Sequence, residues 1–446
     1  MRIRNLGPIT DVQIQLNELT MLMGDNGTGK TLAAYSVFAF RNWLEQNFTA
    51  QLVTKQQVQA VLNGQTVTKP FKAYVAEIAA QVVEQFNRLN QDGHYFQAFF
   101  RDPAVYRVGT TRIEVTAADI LSATGIAATH VSHLSWPYRG DNQLGTTNRI
   151  VTKYDQQTQQ VAIYYADQQD RPIHEELENT PDVATIAQTL SRGISHDVTQ
   201  SAGSSVYLPA ERIGINTFRT KLNHEIINEQ LATPTTSDAA APQQATGERY
   251  PYPIESYIKF LNNALRNMAA TKKTTGEPAA LQTKLIPGQF SYDSEDDRIH
   301  YQLDAQPVAR PIGFNLLSSS LKSLFGVDLF LNRPHAESWL FIDEPEMNLH
   351  PARQKLMADL LYQLMLTGQR LFVSTHSDVL VKEMVNQVLA SAVAKDGGDR
   401  RVSVYLFRAG TAQPIDLFNP DDFGNFDRTT DEINDTYDNL LDQLEK

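Results

Sequence analysis

The sequence contains no cysteine in its 446 residues. Disulfides, thiolate metal sites and cysteine nucleophiles are thereby excluded, and a reducing compartment suits the composition. No stretch approaches the roughly 18 uninterrupted apolar residues that a membrane-spanning helix needs. Behind Met1-Arg2-Ile3-Arg4 the polar residues Asn5, Asp11 and Gln13 break what would have to be the apolar core of a signal peptide. A soluble, cytoplasmic protein with no membrane contact is the expectation. Basic residues are in deficit: 39 Lys and Arg stand against 51 Asp and Glu, a formal net charge of −12. A surface that coats nucleic acid throughout does not fit that balance, although a local basic groove is compatible with it. Dense Lys/Arg runs are missing, and Lys272-Lys273 reads as a solvated loop tip. Internal repeats, sustained heptads, clustered His/Asp metal ligands and a Gly-x-Ser-x-Gly elbow are absent too.

What is present reads as a globular chain, 41% hydrophobic and 20% charged, with one large core or two ordinary ones. Val12, Ile14 and Leu16 alternate with polar residues, the period of a half-buried strand. Residues 19–23 are a short, mostly apolar run ending at Gly24, and from Lys30 the pattern Leu32, Ala33, Tyr35, Val37, Phe38 and Phe40 predicts a well-buried helix. Further on, helices are expected at 71–89, 180–195 (capped by Thr180 before Pro181) and 254–268. Hairpins are expected at 149–165 and 289–303, and a proline-stopped strand at 206–209. Residues 232–247 are small and polar without a period, a flexible linker. Residues 339–342 form an apolar strand, Pro351 opens a helix closed by Gly368, and 371–373 and 402–406 supply two more strands. Ile433, Tyr437, Leu440, Leu441 and Leu444 predict a closing amphipathic helix. Strands alternating with helices imply a largely parallel sheet.

Three segments carry chemistry. Gly24-Asp25-Asn26-Gly27-Thr28-Gly29-Lys30-Thr31 is glycine, four residues, glycine, lysine, threonine: a phosphate loop. Its glycines let N–H groups converge on phosphates, and the helix N-terminus near Lys30 favours the same anion. Lys30 would neutralise the terminal phosphates of ATP and Thr31 would ligate Mg²⁺. Asp343-Glu344 follow an apolar strand, at the sheet edge where ligands of open α/β sheets bind. Asp343 would complete the Mg²⁺ shell, and Glu344 would activate the attacking water. His376 ends the next strand, within Ser374-Thr375-His376-Ser377, and is expected to sense the terminal phosphate.

The phosphate loop, Phe341-Ile342-Asp343-Glu344-Pro345-Glu346-Met347-Asn348-Leu349-His350-Pro351 and Ser374-Thr375-His376-Ser377 together resemble the ABC-type ATPase heads of the SMC and RecF-like superfamily. The opening Ile3-Arg4-Asn5-Leu6-Gly7-Pro8-Ile9 is similar to that family's first strand. The Glu344 to Pro351 form is most similar to stand-alone prokaryotic anti-phage ATPases of the overcoming-lysogenisation and Septu-like groups. The resemblance covers residues 1–44 and about 204–446. It implies an α/β, ABC-type P-loop head with a mixed sheet, divided as 1–44 (phosphate loop), 45–203 (inserted α+β subdomain), 204–330 (helical lobe with a signature) and 331–446 (acid and histidine strands). It also implies a homodimer or higher homo-oligomer in which the signature of one subunit closes on nucleotide held by the other. Leu317-Ser318-Ser319-Ser320-Leu321-Lys322-Ser323 occupies the signature position, with both usual glycines replaced; Ser318, Ser319 and Ser320 are its nucleotide-facing candidates. Residues 207–212 stand where the family carries a glutamine loop, with Glu211 or Arg212 in its place. ATP and Mg²⁺ are the implied cofactors. A separately encoded effector, a nuclease among the candidates, is the implied partner, because the chain ends too soon after its last strand for an appended nuclease domain. An RecF-like DNA-repair clamp, a housekeeping ATPase and an ATP-gated binding module with vestigial hydrolysis remain open at this point.

Overall fold

A computed structural model describes residues 1–121, 131–137, 147–155, 157–166, 170–172, 182–199, 205–232, 250–268, 274–304, 310–332, 339–419 and 435. The linker at 233–247, Lys272-Lys273, Thr180-Pro181 and the five apolar residues expected to close the chain in a helix lie outside them. The chain divides into two compact units. The larger comprises Ile3–Phe38, Gly93–Arg112 and Ser205–Lys446; the smaller comprises Met1–Arg2, Ala39–Asp92 and Ile113–Ser204.

The larger unit is built on five parallel strands. They are β1 (Leu19–Gly24), β2 (Val206–Leu208), β3 (Trp339–Asp343), β4 (Arg370–Thr375) and β5 (Val402–Arg408). Their order in the sheet is β5-β1-β4-β3-β2. Every residue of β1 and β3 is buried, as strands covered on both faces by crossover helices must be. That burial is why these segments read as mostly apolar runs. β6 (Thr411–Pro414) folds back antiparallel on β5 and then pairs in parallel with Ile9–Gln13, which makes the sheet mixed. Val12, Ile14 and Leu16 are all buried, but the strand stops at Gln13, so the alternation outruns its ladder.

The helices that position the site are α1 (Lys30–Gln46), α2 (Arg212–Ala232), α3 (Ser319–Leu331), α4 (Pro351–Leu366) and α5 (Asp378–Ala394). Pro351 occupies the first turn of α4, where its missing N–H costs nothing, and His350 caps that end through Nδ1. The hairpin expected at 289–303 is present as Gly288–Asp293 against Arg298–Leu303, extended by Ile312–Gly313. Residues 93–112, including the helix His94–Phe100, belong to this unit, a return that no change of composition announces.

The smaller unit holds a four-stranded antiparallel sheet in the order Val67–Pro70, Gln160–Ala166, Thr147–Asp155, Val131–Pro137. The two longest helices of this unit among the described residues are Phe71–Asp92 and Val183–Thr199. Phe71–Asp92 buries Tyr74, Ile78, Val82 and Phe86 at the expected spacing of four. Val183–Thr199 is capped by the Asp182 carboxylate, which accepts from the Thr185 N–H at 3.1 Å, the role expected of Thr180.

Candidate nucleotide site

The loop 24–31 joins β1 to α1 in strand–loop–helix order. Gly24, Gly27 and Gly29 have φ of 136°, 75° and 101°, values that side chains disfavour. A Cβ on Gly24 would also lie 2.3 Å from the Phe407 carbonyl oxygen of β5, whereas a Cβ on Gly27 would meet open space. The loop is therefore pinned at its strand end and open at its tip. Lys30 is buried, its ammonium donating to the carbonyls of Gly24 and Asp25, both at 2.8 Å. Burial lowers its pKa to about 8 against the opposing pull of Glu344, Asp25, Asp343 and Glu346.

Strand register brings the acids to the same edge. Asp343 pairs with Ser374, Ser374 with Leu22, and Thr375 with Met23, one residue before the loop begins. Asp343 is 1% exposed; Oδ1 accepts from the Ser374 hydroxyl and Oδ2 from the Tyr207 hydroxyl at 2.6 Å. Burial pushes its carboxyl up to about 6, with those two hydroxyls opposing. Glu344 has a left-handed backbone, φ 47°, held by its N–H on the Ser374 carbonyl at 2.8 Å. From the other side comes Arg212, a fully buried guanidinium that bonds backbone carbonyls. Nη1 donates to Asp343 O (2.7 Å) and Pro209 O (3.1 Å), Nη2 to Glu344 O (2.7 Å) and Nε to Ser323 O of α3 (3.0 Å). Glu211 enters through its charge alone, which adds to the upward push on Asp343.

His376 stands between the loop and the acids, its Nδ1 3.3 Å from the Lys30 ammonium and its Nε2 3.5 Å from Glu344 Oε1. A protonated amine has only donors to offer, so towards Lys30 the Nδ1 atom acts as acceptor. Burial, then the Lys30 charge, lowers the imidazole pKa against Glu344 and Glu346, which favours the neutral ring. Asp343, Glu344, His376, Lys30 and Gly24 thus meet at one sheet edge. The fold is a mixed α/β sheet with a phosphate-loop turn at the edge where these groups meet.

Residues 249–382 match a family model described as "AAA domain, putative AbiEii toxin, Type IV TA system". That stretch includes Asp343, Glu344 and His376 and leaves out the phosphate loop. No curated protein matches. Three solved structures are similar at low identity. An SMC head bound to the C-winged helix domain of ScpA is 11% identical, with 93% of this chain and 95% of that chain covered at a TM-score of 0.31. A Pyrococcus furiosus Smc head with an extended coiled coil, bound to the C-terminal domain of ScpA, is 12% identical, with 97% and 98% covered at 0.31. The SMC head domain from Thermotoga maritima is 11% identical, with 93% and 96% covered at 0.27.

Beside this phosphate loop the oxygen-rich donor set fits Mg²⁺, which prefers a few protein oxygens, water and phosphate to a full protein cage. Among the described residues no group of three or more His, Asp or Glu could hold a metal unaided. Thr31 is exposed at the head of α1, and Asp343 keeps lone pairs beyond those its two hydroxyl donors use. Ser318, Ser319 and Ser320 stand apart. Ser318 caps α3 by accepting from the Leu321 N–H at 3.4 Å, Ser319 is that helix's first residue, and Ser320 Oγ accepts from Arg353 at 3.3 Å. Among the described residues no hydrogen bond joins these serines to residues 24–31. Sequence reasoning passed over Tyr207, Ser374 and Glu346. A tyrosine in an apolar strand reads as core, and only the doubled acid of Glu344-Pro345-Glu346 could have flagged the last.

Proposed function

We propose that this chain binds Mg²⁺–ATP and hydrolyses it, acting as a nucleotide-driven switch. The observation that carries the reading is the joining of Lys30, His376 and Glu344 into one polar chain, the 3.3 Å and 3.5 Å contacts, beside the buried Asp343. Lys30 holds the terminal phosphates, for which it must exchange the carbonyls of Gly24 and Asp25. Thr31 and Asp343 hold Mg²⁺, whose charge offsets that of the phosphates. Glu344, about one-third exposed, accepts the proton of the attacking water, and His376 presents its Nε2 on the same side. Lys30→Ala should abolish nucleotide binding. Glu344→Gln should bind ATP and lose roughly 100-fold or more in turnover. Phosphate release from Glu344→Gln at the wild-type rate would remove Glu344 from the role of base.

The switch closes as a homodimer, with Ser318, Ser319 and Ser320 of one subunit facing nucleotide on the other. Support comes from their position at the free start of α3, where a helix N-terminus and three hydroxyls suit an anion. The biological reading is anti-phage defence with a separately encoded effector. It is supported by the Glu344 to Pro351 resemblance and by the toxin–antitoxin description of the matching family. Phage plating by cells carrying the gene with its neighbour, wild type against Lys30→Ala, tests it; equal plating across a broad panel would overturn it.

A further inference from the structure

Glu346 has no part in the reading above, yet its carboxylate is the most heavily engaged group on the acid loop. Oε1 accepts from the Thr375 hydroxyl at 2.7 Å, the His376 N–H at 2.8 Å and the Ser377 N–H at 3.1 Å. Ser377 is the N-cap of α5, its Oγ taking the Leu380 N–H at 3.1 Å, so the carboxylate also sits at a helix N-terminus, where negative charge is favoured. Oε2 is buried and has no partner among the described residues. The loop that presents Glu346 is itself fixed. Glu344 and Asn348 are left-handed, Pro345 sits between the two acids, Met347 N–H bonds Glu344 O at 3.0 Å and Leu349 N–H bonds Glu346 O at 2.9 Å.

Two residues from Glu344, one side chain thus grips the backbone that carries the imidazole. The distance between base and imidazole is set through this short bridge, from Glu344 along the loop to Glu346 and across to the His376 N–H. We propose that Glu346 is the positioning residue of the hydrolytic step. It touches no reacting atom and acts by holding His376 against Glu344. The inference rests on the ATPase reading.

The test is Glu346→Gln, which keeps size and one acceptor oxygen but loses the charge, measured alone and in a His376→Ala background. Affinity for a fluorescent ATP analogue should stay within about threefold of wild type, since no phosphate contact is lost, while kcat falls roughly 10- to 100-fold, the usual scale for a misplaced catalytic group. In the His376→Ala background the same substitution should change kcat less than about twofold, because residues that act as a unit are not additive. A full, additive loss in that background would overturn the inference, as would an unchanged kcat in the single variant. A parallel loss of affinity, kcat and thermal stability would overturn it too, reducing Glu346 to a fold-holding residue. Failure of the underlying reading looks different: the wild-type protein itself would release no phosphate.

Discussion

At the scale of single residues, the site is a set of buried charges satisfied by neutral groups. Among the described residues Asp343 has two hydroxyl donors and no cation in contact; Arg212 has four backbone carbonyls. Removing one partner from such a group costs its full desolvation, more than the bond alone contributes. Tyr207→Phe should therefore lower the unfolding free energy by roughly 1–3 kcal/mol, measured by chemical denaturation of the nucleotide-free protein. A loss within a few tenths would mean that water replaces the phenol. The left-handed Glu344 follows the same logic, because an unfavourable φ persists only where neighbours hold it. Here they are the Ser374 carbonyl on its N–H and Arg212 on its carbonyl.

At the scale of elements, α3 carries a cost that pH can expose. Asp328 lies within it, 7% exposed, with the Gln282 amide donating at 2.7 Å. Burial pushes its carboxyl up to about 6, with Gln282 and Asn332 opposing. The folded state thus binds more protons than the unfolded state between the ordinary aspartate value of 3.8 and about 6, and stability falls as pH rises through that window. Asp328→Asn removes the charge and keeps an acceptor for Gln282. The variant should melt higher than wild type at pH 7–8, by an amount on the order of 2 kcal/mol, and the gap should close as pH falls below about 5. A gap independent of pH would refute the cause.

Elements of this kind were legible where a single physical rule decides them. β1, β3 and β4 are largely apolar because both faces are covered, and Pro351 marks a helix start by chemistry. That Lys30, Asp343, Glu344 and His376 lie together was legible because a glycine loop leading into a helix and residues at strand ends share one edge of a parallel sheet. Tyr207, Ser374, Arg212 and Glu346 were not, or only as alternatives. Each acts on a partner distant in sequence, and nothing local separates a buried guanidinium from a solvated one.

At the scale of the whole molecule, the charge of −12 bears on partners. Duplex DNA binding should be weak at physiological salt and absent above it, because the net negative charge repels the phosphates that basic side chains would have to contact. Fluorescence anisotropy across a salt series checks this; tight, salt-resistant binding would favour a DNA clamp. A different consequence comes from the place of β1. It lies between β4 and β5, and Gly24 packs against the carbonyl of Phe407. During synthesis the phosphate loop emerges long before either neighbour of its strand, so a largely apolar ribbon waits with both edges open until residue 375 has followed and with one open until residue 408. Pairing over such separations is slow, and open edges invite association with other chains. The yield of active protein in a cell will therefore follow translation rate, temperature and chaperone supply more closely than the stability of the finished fold.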